Sequence, residues 1–236
     1  MLGRWARSRQ ELLDDPTADA STVVATLRDI ARANRYFGGS AAAVARLDEF
    51  FRAAAPGAAL SLLDVGTGDG DIPRAALRRA AARGLRLRVL GLERHRAAAR
   101  LAARDGAIAP LLADVLALPL PAGSVDLVLC SQLLHHFQGP ALFGAIAELA
   151  RVARLGVVVA DLRPSPLAAV GFWLAGYPLR FHAVTRRDGF VSVLRGFTPG
   201  ALDTALRAAG VVARVRTHAG WRVTAAWPAS PREENV

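Results

Sequence analysis

The apolar positions of this chain follow two alternating rhythms. Short, mostly apolar runs at residues 60–64, 85–92, 107–113, 125–130 and 156–160 are rich in Val, Leu and Ala. Runs of that length read as strands, and the Val/Leu-rich run at 125–130 suits a strand buried on both faces. Between them, residues 72–82, 94–104 and 142–152 carry apolar side chains at helical spacing, with Gly84 ending the first of these helices. Strand and helix in strict alternation predict an α/β fold with a doubly wound, mostly parallel sheet. The rhythm breaks over residues 162–196, an apolar and aromatic insertion. It returns with Thr198 and Pro199 as N-cap and first helical residue of a helix that ends at Ala209 and Gly210. Residues 211–217 and 221–226, around Ala219 and Gly220, predict a terminal hairpin, and residues 228–236 read as a tail. Ahead of the first strand, residues 1–20 are polar and read as loosely structured. Val24, Leu27 and Ile30 then share one face of a helix over 21–33, residues 34–40 break it, and a second helix runs to about Arg52. The chain therefore divides into an N-terminal helical flap, residues 1–55, and an α/β domain, residues 56–236, carrying an insertion at 162–197. No internal repeat is visible.

The first strand leads straight into the chemistry. Asp64 closes it, and Gly66, Gly68 and Gly70 follow at alternate positions before a helix begins. Glycines there allow positive φ and close approach of a ligand to the backbone, and the helix start offers free N–H groups to an anion. A dinucleotide fingerprint needs a third glycine at position 71, which is Asp71. Three more acids, Glu93, Asp114 and Asp161, stand where later strands stop. Ligands of open α/β sheets bind at that edge, so the series points to a nucleoside with hydroxyls and an exocyclic amine. Glu93 sits near the spacing of about 20 residues expected of an acid that accepts from ribose hydroxyls.

Composition changes this picture little. The chain of 236 residues is 53% hydrophobic with a mean hydropathy of +0.26, which excludes general disorder. Its formal charge is +10, all of the basic side chains being Arg. Charge alone raises RNA as a partner, but the arginines fall at helical spacing on alanine-rich segments and read as solvated surface. Cys130 is the single cysteine, so neither an internal disulfide nor a cysteine zinc site is expected. The N-terminus lacks the apolar centre of a signal peptide, and the apolar stretch 167–179 is shorter than the ~20 residues of a membrane span. A cytoplasmic protein, monomer or homodimer, is expected.

The segment Leu62-Leu63-Asp64-Val65-Gly66-Thr67-Gly68-Asp69-Gly70 resembles the first motif of class I S-adenosylmethionine-dependent methyltransferases. Gly91-Leu92-Glu93 is similar to the family's ribose acid, and Ala113-Asp114 with Leu118-Pro119-Leu120-Pro121 to its adenine-side segment. Residues 124–128 are similar to its fourth strand. The resemblance covers residues 60–159 in order, and it implies a Rossmann-like, seven-stranded sheet, S-adenosyl-L-methionine as cofactor, and methyl transfer. The candidate cofactor-binding residues are Asp64, Gly66, Thr67, Gly68, Gly70, Glu93, Arg94, Asp114, Val115 and Ser131, with Arg35 from the flap.

Amino-methylating relatives carry Asn/Asp-Pro-Pro-Tyr after strand four. This chain has Cys130-Ser131-Gln132-Leu133-Leu134-His135-His136-Phe137, which is similar to the small-molecule enzymes, quinone and polyketide types included. His136 and His135 are the candidate bases, because imidazole titrates near neutrality. No metal is expected, since the paired histidines have no carboxylate at close spacing in sequence. Phe172, Trp173 and Tyr177 of the insertion, its polar turn with His182 and Arg186, and Tyr36 of the flap are the candidate acceptor contacts. The reading is methylation of a small apolar or aromatic acceptor, natural-product or quinone-like, at oxygen in preference to carbon. The alternatives are an RNA methyltransferase and a non-catalytic cofactor-binding partner subunit.

Overall fold

Side-chain direction along the central strands decides how the layers assemble. In β1 (Ala59–Val65), β4 (Val125–Ser131) and β5 (Ala153–Leu162), alternate residues face opposite sides, as the pleat requires. Leu63, Val65, Val128, Cys130, Val157 and Val159 pack on one face against Leu142, Ile146, Leu149, Leu202 and Leu206. Those partners come from α6 (Gly139–Val152) and α9 (Pro199–Ala208). Leu60, Leu62, Leu127, Leu129, Val158 and Ala160 meet Leu47, Phe51, Ile72 and Ala76 on the other face, from α3 (Gly39–Ala53) and α4 (Asp71–Ala81). The computed structural model describes residues 2–15 and 17–229. The tail expected over 228–236 therefore lies outside the described residues beyond Ala229.

The remaining strands are β2 (Arg86–Glu93), β3 (Ile108–Leu112), β6 (Arg214–His218) and β7 (Arg222–Pro228). They complete a seven-stranded sheet in the order β3-β2-β1-β4-β5-β7-β6. β7 is antiparallel to both neighbours, and the other adjacent pairs are parallel. The sheet is the doubly wound α/β arrangement that the alternation predicted. Strand order reverses between β1 and β4, which opens a crevice beyond their carboxyl ends.

The flap departs from expectation in two ways. α2 (Ala20–Tyr36) runs three residues past Ala33, so Asn34, Arg35 and Tyr36 form its last turn, and the break falls at Phe37 and Gly38. α3 is a sheet-covering helix, leaving α2 to lie over α5 (Arg96–Ala102) through Val23, Leu27, Ala98 and Leu101. Residues 2–15 and 17–20 are also ordered. They hold α1 (Leu2–Arg7) and a 3-10 turn, Leu12–Asp14, tied down by Ala6 in a small core with Leu162, Ala169, Val191 and Leu194. The insertion is helical, comprising α7 (Pro166–Ala175) and α8 (Ala183–Arg195). The expected polar turn from His182 is the first half of α8. Its Gly and β-branched residues favour helix poorly, but Asp29 of α2 accepts from the His182 N–H at 2.6 Å and the Thr185 hydroxyl at 3.1 Å, anchoring the helix start. No helix of the described residues is long and apolar enough to cross a membrane.

Candidate functional site

A cavity of about 710 Å³ occupies the crevice, bounded by the glycine loop, α2, the 3-10 turn at Leu12–Asp14, α7, α8 and the turn at Gly220–Arg222. The loop is shaped by backbone contacts to β2. The N–H groups of Gly66 and Thr67 donate to the Leu92 carbonyl at 2.9 and 3.1 Å, and that of Gly68 donates to Glu93 Oε1 at 2.6 Å. Gly66, Gly68 and Gly70 have φ of 75°, 57° and 80°, the left-handed region that only glycine enters freely. Gly91 lets the loop sit close to β2. A Cβ there would meet Ile108 Cγ2 at 2.7 Å and Thr67 Cγ2 at 2.9 Å.

Buried acids dominate the loop end of the cavity. Asp64 is 2% exposed, and its carboxyl is pushed up to about 7, chiefly by burial, with the nearby charges of Asp71 and Glu93 adding to the effect. Among the described residues no cation is paired with it. Burial also raises Glu93, against the Gly68 N–H that favours its charged form. Arg94 lines the cavity and donates to the Asp14 carbonyl at 2.7 Å. Asp114 lines it as well, beyond the end of β3, while its Oδ1 accepts from the Leu116 N–H at 2.9 Å in a turn.

At the end of β4 the backbone turns sharply through Gln132, whose φ of 51° is unusual for a side chain with a Cβ. Its amide is clamped, Nε2 donating to Asn34 Oδ1 at 2.6 Å and Oε1 accepting from Arg222 at 3.2 Å. The 3-10 turn Leu134–His136 then presents both imidazoles. His135 is buried, with Nδ1 2.7 Å from Asp161 Oδ1, and its Nε2 is buried with no protein partner. The His136 ring lies 4.4 Å from that of His135, and its Nδ1 is 2.7 Å from Asp14 Oδ1. Burial opposes charge on Asp14, but its hydrogen bond to His136 and the charges of His136 and Arg195 outweigh that and hold it at about 2.

Glu11, Asp14, Ser192 and Arg195 were invisible as site residues in the sequence, because they arrive from the N-terminal segment and from α8. Glu11 supplies the carboxylate that local spacing denied the histidines. One ligand atom each of Glu11, His135 and His136 lie within 4.8 Å of one another, a metal-sized cluster. Arg195 Nη1, however, is 2.9 Å from Glu11 Oε1, and the Ser192 hydroxyl donates to Oε2 at 2.6 Å. The guanidinium offsets the attraction this carboxylate would offer a dication.

Of the cofactor candidates, Asp64, Gly66, Thr67, Gly68, Glu93, Arg94, Asp114, Val115 and Ser131 all line the cavity. Gly70 and Arg35 do not. A Cβ on Gly70 would point at Arg74 and Ile108, so that glycine serves the α4–β3 contact, and Arg35 lies on the solvent side of α2. Both histidines and Phe172 line it too. Among the candidate acceptor contacts, Tyr36, Trp173, Tyr177, His182 and Arg186 do not line it. The inward positions of α7 are taken by Ala168, Ala169 and Phe172, which turns Trp173 and Tyr177 outward. Tyr36 ends α2 in solvent. His182 caps α8, and Arg186 lies over the Tyr177 ring at 4.1 Å and donates to the Phe181 carbonyl at 3.0 Å.

Comparisons with known proteins agree with this fold. A family model described as a methyltransferase domain matches residues 63–160. No curated protein sequence matches the chain. Among solved structures, an S-adenosylmethionine-dependent methyltransferase from Aquifex aeolicus is similar, with a TM-score of 0.61 at 14% identity over 90% of this chain and 99% of that one. The putative methyltransferase in complex with the Haloferax volcanii Trm112 methyltransferase activator gives 0.55 at 16% identity, covering 87% of this chain and 98% of the other. The magnesium protoporphyrin IX methyltransferase of Synechocystis, with bound S-adenosylhomocysteine, gives 0.52 at 17%, covering 83% of each chain. Residues 63–160 thus match a methyltransferase domain, and the seven-stranded sheet that carries the glycine loop shares its fold with these methyltransferases.

Proposed function

We propose that the enzyme methylates an oxygen of a small, largely apolar or aromatic acceptor. The observation that supports this is the pair of carboxylate-held imidazoles at the junction of the cavity's polar end and its apolar wall. S-adenosylmethionine supplies a methyl group already activated by a sulfonium. Asp64, a buried carboxylate without a cation, suits its ammonium. Glu93 suits the ribose hydroxyls, while Asp114 and Val115 flank the place for adenine.

The chain's own task is then to place the acceptor, exclude water and take up one proton. Leu13, Leu162, Leu167, Ala168 and Phe172 line the far wall and suit an apolar body. Asp161 and Asp14 each hold an Nδ1, which orients both rings; the Nε2 of His135 is left to meet an acceptor hydroxyl, while that of His136 lies 3.9 Å from Glu11 Oε2. The unpartnered Nε2 of His135 is a buried polar atom that such a hydroxyl would satisfy. The arginines suggested RNA from charge alone, but Arg52, Arg79 and Arg83 converge on Asp48, so part of the charge is already paired within the chain.

The test is methyl transfer from labelled S-adenosylmethionine to a panel of hydroxylated arenes with and without alkyl chains. Product methylated at oxygen is expected, with His135→Ala or His136→Ala lowering kcat by ~10²–10⁴-fold. Transfer to RNA alone, or activity untouched in both variants, would overturn the reading.

A further inference from the structure

Residues 164–179 contain no charged side chain, and Arg163 and Arg180 bracket them. Within this stretch α7 is apolar on both sides. Its inner face packs on α8, but Leu167, Val170, Leu174 and Tyr177 recur at helical spacing on the outside, with Trp173 beside them. Leu167 is 73% exposed and Leu174 54%. With side chains of this size the stripe approaches ~400–600 Å², the upper range of apolar patches on monomers. Such an area needs an occupant.

Three features decide which. First, α7 forms the rim of the cavity, since Leu167 is both solvent-exposed and cavity-lining, and Trp221 across the opening is the same. Second, the rim's aromatic residues are amphipathic. Tyr36, Trp173, Tyr177 and Trp221 are all exposed, and Tyr and Trp favour the boundary between water and hydrocarbon. Third, Arg35, Arg163, Arg180 and Arg186 lie in or beside these segments, and none pairs with a carboxylate among the described residues. Unpaired cations around an apolar, aromatic-rimmed helix complement an anionic lipid surface. They would repel a second copy bearing the same charges. At ~1.5 Å per residue the 10-residue helix is about 15 Å long, half the hydrocarbon thickness, so it suits a position in the interface and not across it.

We propose that this face docks on an anionic bilayer, with α7 lying in the interface, so that the cavity opens toward the lipid and takes an apolar acceptor from it. The inference rests on the apolar-acceptor reading above and adds where that acceptor comes from.

Sedimentation with vesicles tests it, comparing phosphatidylcholine alone with phosphatidylcholine containing phosphatidylglycerol. The protein should bind the anionic vesicles at least about tenfold more tightly, from a few arginines each contributing near the surface. Neither Val170 nor Leu174 lines the cavity. The Val170→Glu/Leu174→Glu variant should lose that binding by tenfold or more, while keeping S-adenosylmethionine affinity and transfer to a water-soluble acceptor. Equal pelleting of variant and wild type, or no pelleting with either vesicle, would overturn the docking face. So would a concentration-dependent dimer abolished by the same substitutions, which would assign the stripe to a second copy. Failure of transfer to every soluble acceptor, with vesicle binding intact, would instead sink the functional reading alone.

Discussion

Replacing Asp64 with Asn should change how stability depends on pH. In the folded chain burial, aided by Asp71 and Glu93, holds the Asp64 carboxyl at about 7, against an ordinary value of 3.8. Below pH 4 both folded and unfolded states carry the proton. Between pH 4 and 7 the unfolded chain releases it while the folded chain keeps it, so the folded state binds more protons and stability falls as pH rises. The gap of about three pH units corresponds to about 4 kcal/mol, reached above pH 7. The Asp64→Asn variant has no proton to lose at this position. It should match the wild type near pH 4 and exceed it by up to about 4 kcal/mol at pH 8. Urea unfolding across pH 4–8 measures both curves, and parallel curves would refute the assignment. The same proton links stability to function. If Asp64 receives the ligand's ammonium, binding S-adenosylmethionine must expel the proton below pH 7. Calorimetry at pH 6 in buffers of different ionisation enthalpy should show that release, and the variant should not.

Other perturbations test neighbouring parts of the site. Glu93→Gln keeps an acceptor for the Gly68 N–H but removes the charge, so S-adenosylmethionine affinity should fall by ~1–3 kcal/mol in a calorimetric titration. Gly91→Ala drives a methyl to 2.7 Å from Ile108 and 2.9 Å from Thr67. It should cost ~1–3 kcal/mol in denaturant unfolding and weaken cofactor binding in parallel. Asp161→Ala strips His135 of its buried partner, and should cost ~1–3 kcal/mol of stability as well as most of the turnover. Asp14→Asn should cost ~1–2 kcal/mol of stability near pH 7, because the folded state favours the Asp14 carboxylate, and should shift the pH profile of kcat if His136 takes the acceptor proton. An unchanged profile would place that role on His135.

The sequence by itself determined the strands, most of the helices, the α/β class and the glycine-loop end of the cavity. Those features are local or periodic. A glycine loop joining strand to helix declares itself within ten residues, and acids that end apolar runs fall at one edge of any parallel sheet, whatever the exact register. Tertiary structure decided the histidine end. Glu11 and Asp14 reach His136 from more than 120 residues away in a segment too polar to suggest a core. Arg195 completes the cluster from a helix whose residues have weak helical preference. The apolar insertion showed the same limit. Composition marked 164–181 as greasy, but which side chains face inward depends on how α7 rotates against α8. That rotation put Phe172 in the cavity and left Trp173 and Tyr177 on the outside. Periodicity names the faces of a helix, and only packing says which face is covered.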